Sequence, residues 1–564
     1  HTGSCTSYEP HQLARASRED LAIRFDRWDT RMALPAVDAL LADPLSAAPL
    51  VESWDKRLGG AAGLSAPFEL AAESLGLGAP TEPLGTIAVA IAAAKAPVAK
   101  ALASMSEPER RRADEVMRVL AQGDDPDGLS GKDFDAMSRF DQTSMLSAAR
   151  RIAAAIAEAL PQLRAASVPP GRRKLTTPEG VVLLVSGPGD DEYAEADLEG
   201  VELLLDFGGR SRYKGSPAAA SGGQIRVVID LSHEVIVESK GAAAGSGFFG
   251  IGLMVLPEPG YKKITAGELS CGAGLFGVGA LQISGGAEIE SGALSQGMGA
   301  FGVGMLVSTG HKAKFKLRIA GQGFGMTKGV GLFLHRGDDA QLDGGHQVPD
   351  FREPLGMLSL SQGAGYGPRA FAAGGIGVAR VEGSRSQILA SYMAQGMGYW
   401  RAFGALIVKG DENKVQGRRY VQGAGVHTAY GAFRLEGKDN RVLSWGVGPA
   451  VGWDYGVGAL DASGGGNTFT SDWASARGDV NGHGLATITG GGNRISLGQF
   501  GTGAFKRSGP SYGIVAGLNA GDIVSRGPAL SGIYELSADP WGVVVGGSEL
   551  VLDPALARET AQWP

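Results

Sequence analysis

The spacing of hydrophobic residues divides the chain into two parts near residue 170. In the first part, apolar residues recur about every 3.6 positions, which predicts an α-helical N-terminal domain over residues 1–170. Ser106 and Glu109 form a capping box with Pro108 in the first turn, so one helix should begin there. Other helices are predicted by Leu13, Leu21, Phe25 and Trp28, by residues 35–41, and by Phe134, Met137, Met145, Ile152, Ile156 and Leu160, which precede Pro161.

The second part is built on a repeated unit. Each copy has a small residue, Gln-Gly-x-Gly, a variable turn and then Gly-x-Gly with apolar residues between the glycines. Cys271 and Trp445 occupy the Gln position in two degenerate copies. The clear copies place their glutamines 26, 40, 33 and 27 residues apart, at Gln296, Gln322, Gln362, Gln395 and Gln422.

A repeat length in the twenties with short strands predicts one turn of a stacked solenoid, since a single turn cannot bury its apolar side alone. We therefore predict a mainly β chain: a single-stranded parallel β-helix (solenoid) over residues 171–534, with a C-terminal cap at 535–564. The helices should shield one end or lie along one side. The glutamines should form an amide ladder, and Cys271 should be a buried thiol in that column. A β-propeller, whose blades need about 40–45 residues, and a β-sandwich are the alternatives.

Composition agrees with this division. Glycine accounts for 90 of 564 residues, and only 10 of them precede residue 171.

The net charge of −7 and the absence of a long basic tract argue against nucleic-acid binding. Residues 87–105 are too polar for a membrane span. Two cysteines permit at most one disulfide. Because the chain begins at His1 without Met, we expect an exported protein, in a secreted, periplasmic or cell-surface location.

The coil length and stacked glycine turns of residues 180–530 resemble the pectin-lyase-like superfamily of right-handed parallel β-helices. The Gln-Gly-x-Gly repeat is similar to that of uncharacterised bacterial repeat proteins. The resemblance is architectural and includes no catalytic motif of a particular family. It implies a polysaccharide lyase, hydrolase or epimerase, or else an adhesin or phage-tail protein.

Candidate chemistry lies in the variable turn, which becomes rich in aromatic and charged residues after residue 366. We expect these side chains to line one face, where aromatic rings pack on sugars and Arg pairs with uronate carboxylates. The predicted substrate-binding residues are Arg369, Tyr399, Trp400, Trp453, Tyr455, Arg507 and Tyr512. The predicted catalytic residues are Arg401, His427, Tyr430, Asp454 and His483.

For a lyase, Arg369 or Arg401 would neutralise the carboxylate, while His427 and Tyr430 would act as base and acid. Asp454 or His483 would orient them or hold a divalent cation such as Ca²⁺. We therefore expect a protein that binds and cleaves or modifies an acidic polysaccharide. The alternatives are a non-catalytic surface-structural or glycan-binding solenoid, and a role of the helices in assembly.

The longest insertion, residues 335–353, is a second candidate site. It contains two histidines and several carboxylates, which are the side chains of metal sites and acid–base pairs. Their spacing matches no standard metal motif, so a solvated polar loop is the competing interpretation. The residues are His335, Arg336, Asp338, Asp339, Asp343, His346, Asp350, Arg352 and Glu353.

Overall fold

The computed structural model confirms the predicted class: a parallel β-solenoid of about 11 turns, preceded by helices. The solenoid has three faces. Each turn contributes one strand to a long sheet and one to a second sheet, and most turns add a two- or three-residue strand at a corner. The structure describes residues 33–59, 63–77, 86–120, 130–345, 347–350, 353–369, 371–497, 500–501, 503, 511–519, 521–524, 533–534 and 542–546.

The helices begin where the sequence provides N-terminal capping groups. The backbone N–H of Ser106 donates to Glu109 (2.8 Å), as the capping box predicts, and Asp141 accepts from the N–H of Ser144 (3.0 Å). The α-helices are Pro35–Ala42, Ala47–Leu58, Ser65–Ser74, Ile87–Ala103, Glu107–Leu120, Gly131–Ser138, Gln142–Ala165 and the single turn Glu195–Leu198, with a 3₁₀ turn at Pro44–Ser46.

One helix continues further than the sequence predicts. The helix Gln142–Ala165 runs through Pro161, where we expected a break. Pro161 is exposed, so the carbonyl that loses its hydrogen bond there can be solvated instead. The predicted helix around Leu13 and Trp28 lies outside the described residues.

No single described helix is long and apolar enough to cross a membrane; Ile87–Ala103 and Glu107–Leu120, bent by 84°, pass a length and composition test only as a pair.

The long sheet contains 16 strands in an order that follows the chain except at its end. Its first pair and its last pair are antiparallel and the others are parallel. The strands are Arg172–Thr176, Val182–Ser186, Leu203–Asp206, Ile225–Asp230, Ile251–Leu256, Val278–Ser284, Val303–Thr309, Val330–Arg336, Ile376–Glu382, Phe403–Lys409, Tyr430–Glu436, Val457–Ser463, His483–Ile488, Tyr512–Leu518, Gly542–Gly546 and Ile533–Tyr534. The sheet thus extends beyond the predicted solenoid boundary at residue 534.

The second sheet has 13 parallel strands: Asp191–Ala194, Arg210–Lys214, Glu234–Glu238, Tyr261–Ala266, Gly286–Ser291, Lys314–Leu317, Gln341–Asp343, Gln387–Leu389, Lys414–Gln416, Arg441–Ser444, Thr468–Ser471, Arg494–Leu497 and Ile523–Val524. The corner strands form two short sheets. They are Ala219–Ser221, Ser246–Phe248, Gly274–Leu275 and Gly299–Ala300, then Gly365–Tyr366, Gly398–Tyr399, Gly425–Val426, Gly452–Trp453 and Gly478–Asp479. The insertion adds Pro349–Asp350 and Glu353–Ser361, which join Tyr392–Ala394.

A column of glycines explains the repeated Gly-x-Gly. The second residue of each long-sheet strand from Ile251–Leu256 to Tyr512–Leu518 is glycine, and these glycines are in register. A Cβ on Gly279 would lie 2.0 Å from the carbonyl oxygen of Ala273, and one on Gly404 would lie 2.1 Å from that of Met397. The Gln-Gly-x-Gly backbone therefore packs directly against the long sheet, and only glycine leaves room for it.

The amide ladder is present in part. Gln322 donates to Gln296 (3.2 Å) and Gln395 donates to Gln362 (3.1 Å), all four being buried. Cys271 is buried and free in the same column, and burial raises its pKa to about 12. This thiol is therefore protonated at neutral pH and is no nucleophile.

The helices lie along one side of the solenoid, on the outer face of the long sheet, and share one hydrophobic core with it. Phe140 makes edge-to-face contacts with Phe249 and Phe276 (5.8 and 5.5 Å), and Trp54 does so with Phe403 (5.2 Å). Large apolar side chains on both layers thus exclude water from this interface.

A charged cluster crosses the same interface. Asp55, on the helix Ala47–Leu58, is 3% exposed and accepts from Arg380 (2.9 Å) and Lys409 (2.7 Å) of the long sheet. Burial alone raises the pKa of Asp55, yet the hydrogen bonds from Lys409 and Arg380, together with the positive charges of these two side chains, lower it overall. Because Asp55 stays ionised beside its partners, the cluster fixes the position of this helix on the sheet.

Candidate functional site

The corner that leads into the long sheet changes shape part-way along the solenoid. In early turns one residue with a left-handed backbone stands there, as Phe276 does at φ 47°. In four consecutive later turns two such residues stand there, with φ between 49° and 65°. We call these eight residues the widened corner: Trp400 with Arg401, His427 with Thr428, Asp454 with Tyr455, and Val480 with Asn481.

The widened corner is held by hydrogen bonds between turns. The N–H groups of Trp400, His427 and Asp454 donate to carbonyls of the next turn at 3.1, 3.0 and 3.2 Å. A left-handed backbone costs a non-glycine residue roughly 1–3 kcal/mol, and such positions cluster at functional sites. Left-handed pairs also occur at the Gln-Gly corners, where the second residue is glycine, as in Gln395-Gly396. The widened corner differs because both residues of each pair carry side chains.

Two predicted residues meet in the widened corner. His427 and Asp454 occupy the same corner position in adjacent turns, and Nδ1 of His427 lies 2.5 Å from Oδ2 of Asp454. Their side chains are 16% and 10% exposed. An ionised carboxylate only accepts hydrogen bonds, so the imidazole donates from Nδ1 and keeps Nε2 for proton exchange. The prediction that Asp454 orients a catalytic group fits this geometry for His427.

Aromatic rings lie on both sides of the His427–Asp454 pair. Tyr399 presents its ring edge-on to His427, at 5.1 Å between centroids and 85°. The guanidinium of the exposed Arg369 lies 5.7 Å from the centre of the Trp400 ring. In the opposite direction along the solenoid, Trp453 and Trp473 contact each other at 5.7 Å, and Trp473 is 36% exposed.

Three residues expected on an open face are buried, which corrects that expectation. Tyr430 is 2% exposed, begins a long-sheet strand beneath the helices and contacts Phe403, and burial raises its pKa. A general acid must reach the substrate, and Tyr430 does not. Arg401 is 3% exposed. His483 is 4% exposed, and burial lowers its pKa to about 4.

The remaining predicted contact residues differ in accessibility. Tyr399 and Trp400 are 8% and 4% exposed, so mainly their edges are available. Tyr455 and Tyr512 are partly exposed, and Tyr512 stacks on His483 at 5.4 Å. Arg507 lies outside the described residues. The structure therefore brings Arg369, Tyr399, Trp400, His427 and Asp454 together, while Tyr512 packs on His483 further along the solenoid.

The described residues of the insertion are dispersed over separate contacts. His335 lies on the strand Val330–Arg336 with its ring inside the solenoid, 5.2 Å from Phe315. Asp338 and Asp339 pair with Arg385, while His346 and Arg352 lie outside the described residues. In the part of the chain that the structure describes, no three His, Cys, Asp or Glu side chains are grouped as metal ligands.

Sequence reasoning missed a second polar ladder. The Oδ1 atom of each asparagine accepts the backbone N–H of its counterpart one turn earlier, at 2.8 to 3.0 Å, and all members are buried. A signal was available, because Asn recurs at 27, 27 and 26 residues, each time two positions before Val, Phe or Ile. The members are Asn413, Asn440, Asn467 and Asn493, with Asp522 in the last position.

Comparison of the chain with protein-family models, with curated proteins and with solved structures found no match.

Proposed function

We propose that the protein binds an acidic polysaccharide along the widened corner and cleaves or modifies it there. The observation that carries this proposal is the partly exposed His427–Asp454 pair, flanked by aromatic rings and by Arg369. We also propose that the protein is exported, because such polymers lie at and beyond the cell surface.

The residues suit a base-catalysed elimination. Arg369 would pair with a uronate carboxylate, and the exposed Trp473 with Trp453 would pack on a sugar ring. Nε2 of His427 would remove the proton next to the carboxylate while Asp454 stabilises the imidazolium. The electron pair of that C–H bond forms the new C=C bond as the glycosidic C–O bond breaks. The leaving oxygen takes its proton from water, since Tyr430 is buried.

The test is the appearance of unsaturated sugar ends when the full chain is incubated with polygalacturonate or alginate. His427→Ala should lose roughly 100-fold or more of the rate. Asp454→Asn should lose rate and also change the pH profile. Thr428→Ala, beside His427 in the same corner, is the matched control and should keep most of the activity. Equal activity in native protein and His427→Ala would contradict the assignment.

The second candidate is a non-catalytic glycan-binding or surface-structural solenoid. It is favoured by the burial of Tyr430, Arg401 and His483, which leaves His427 as the partly exposed member of the predicted catalytic set. Polymer binding without new chain ends would support this candidate. The lack of binding to any polysaccharide would count against both proposals.

A further inference from the structure

The outer face of the second sheet carries charges of alternating sign in its early turns. Lys263, Glu288 and Lys314 follow one another in register. Arg212 pairs with Glu238 at 2.8 Å, and the same pattern recurs further along the face. Opposite charges on adjacent strands stabilise a sheet, and like charges placed directly opposite destabilise it. The early half of this face follows that rule.

The later half breaks the rule. Gln387, Lys414, Arg441, Thr468 and Arg494 follow one another in register, and we call these five residues the basic column. All are exposed apart from Thr468, which is partly exposed. Over the described part of the chain, no carboxylate lies within ion-pair distance of the three cationic side chains.

One carboxylate at the preceding corner accepts a hydrogen bond from the backbone of the next turn. Asp411, three residues before Lys414, accepts the N–H of Lys438 at 2.8 Å. Lys414 and Arg441 are direct cross-strand neighbours, about 4.8 Å apart at the backbone. Neither is neutralised by an ion pair. Like charges placed directly opposite destabilise a sheet, and functional surfaces commonly carry residues that lower stability.

We propose that the basic column binds a linear polysaccharide that carries carboxylate or sulfate groups, with its chain along the solenoid axis. Lys414 and Arg441 are one strand separation apart, and Arg441 and Arg494 are two strand separations apart. One pyranose unit lengthens a glycan chain by about one strand separation. Gln387 and Thr468 supply hydrogen bonds for sugar hydroxyls. The column contains no aromatic ring on which a nucleic-acid base could stack.

This surface is separate from the widened corner. The strand Phe403–Lys409 lies between them within one turn, and its seven residues span roughly 23 Å. The proposal is therefore independent of the chemistry assigned to His427, and the two can fail separately.

The test compares binding of the full chain to polygalacturonate, to dextran sulfate, to neutral dextran and to an oligo(dT) strand. The variant is Lys414→Gln with Arg441→Gln, since glutamine already stands at 387 in the same column. The matched control is Arg210→Gln with Arg212→Gln, which removes two cations from the ion-paired half of the same face.

We expect at least one of the two polyanions to bind, and the preferred one identifies the anionic group. The Lys414/Arg441 variant should weaken that binding roughly tenfold or more, while the control stays within about twofold of native. Its thermal stability should be unchanged or higher, because a like-charge contact is removed. Equal weakening in variant and control, no polyanion binding, or tighter binding of oligo(dT) would overturn the proposal.

Discussion

At the scale of single residues, the solenoid is defined by columns of the same side chain. The glutamine and asparagine ladders put one amide per turn in the same position, where each bonds to its neighbour along the axis. Because the turns are in register, each side chain has the equivalent residues of the preceding and following turns as its neighbours along the axis. His335 departs from this pattern, because the equivalent residues of the next two turns are Val381 and Val408.

His335 predicts a specific pH dependence of stability. Burial lowers its pKa to about 4 from an ordinary 6.5. Its stabilising contribution is thus complete above pH 6.5 and is lost as the pH falls toward 4, by about 3 kcal/mol. We predict that His335→Val, which matches Val381 and Val408 in the same column, shows a shallower loss of unfolding free energy over this range.

Chemical denaturation at pH 7 and at pH 4.5 measures this difference. His311→Ala is the control, since that side chain is 72% exposed, and it should follow the native pH dependence. Parallel curves for native protein and His335→Val would contradict the prediction.

At the scale of elements, the helix Ala47–Leu58 depends on one buried carboxylate. Asp55→Ala removes a partner from Arg380 and Lys409, and breaking such a buried pair costs about 3–5 kcal/mol. Because Arg380 also bonds Glu382 and Lys409 also bonds Glu436, we predict a loss of about 3 kcal/mol in the free energy of unfolding.

Glu52→Ala provides the matched control for Asp55→Ala. Glu52 lies on the same helix and pairs only with the exposed Lys56 among the described residues, so its removal should change the free energy by less than about 0.5 kcal/mol. Denaturant unfolding, followed by the fluorescence of Trp54 and the other tryptophans, distinguishes the two variants. Equal effects would mean that Asp55 does not anchor the helix.

At the scale of the whole molecule, the helices form a cover over the long sheet. Without them Phe249, Phe276, Phe301 and Phe403 would form an exposed apolar strip, and patches of this kind cause association. We therefore predict that a chain lacking residues 1–165 aggregates, or binds a hydrophobic dye strongly, under conditions in which the full chain is monodisperse.

Light scattering and dye fluorescence on both forms test the cover. The full chain carrying Glu52→Ala serves as a folded comparison that leaves the interface intact. A truncated chain that stays monodisperse and binds no dye would show that the outer face of the long sheet does not need the helices.

The sequence by itself determined the repeat, and with it the solenoid, because glycine spacing and apolar alternation are local properties that each turn repeats. It also located the corner that holds His427 and Asp454, since the variable turn is marked by its side chains. It did not reveal that Tyr430, Arg401 and His483 are buried, because burial depends on the elements packed around a residue, which for Tyr430 include a helix more than 250 residues earlier in the chain. Nor did it reveal the basic column. Register between turns decides which charges stand opposite one another, and only the stacked structure shows that Lys414 and Arg441 are neighbours.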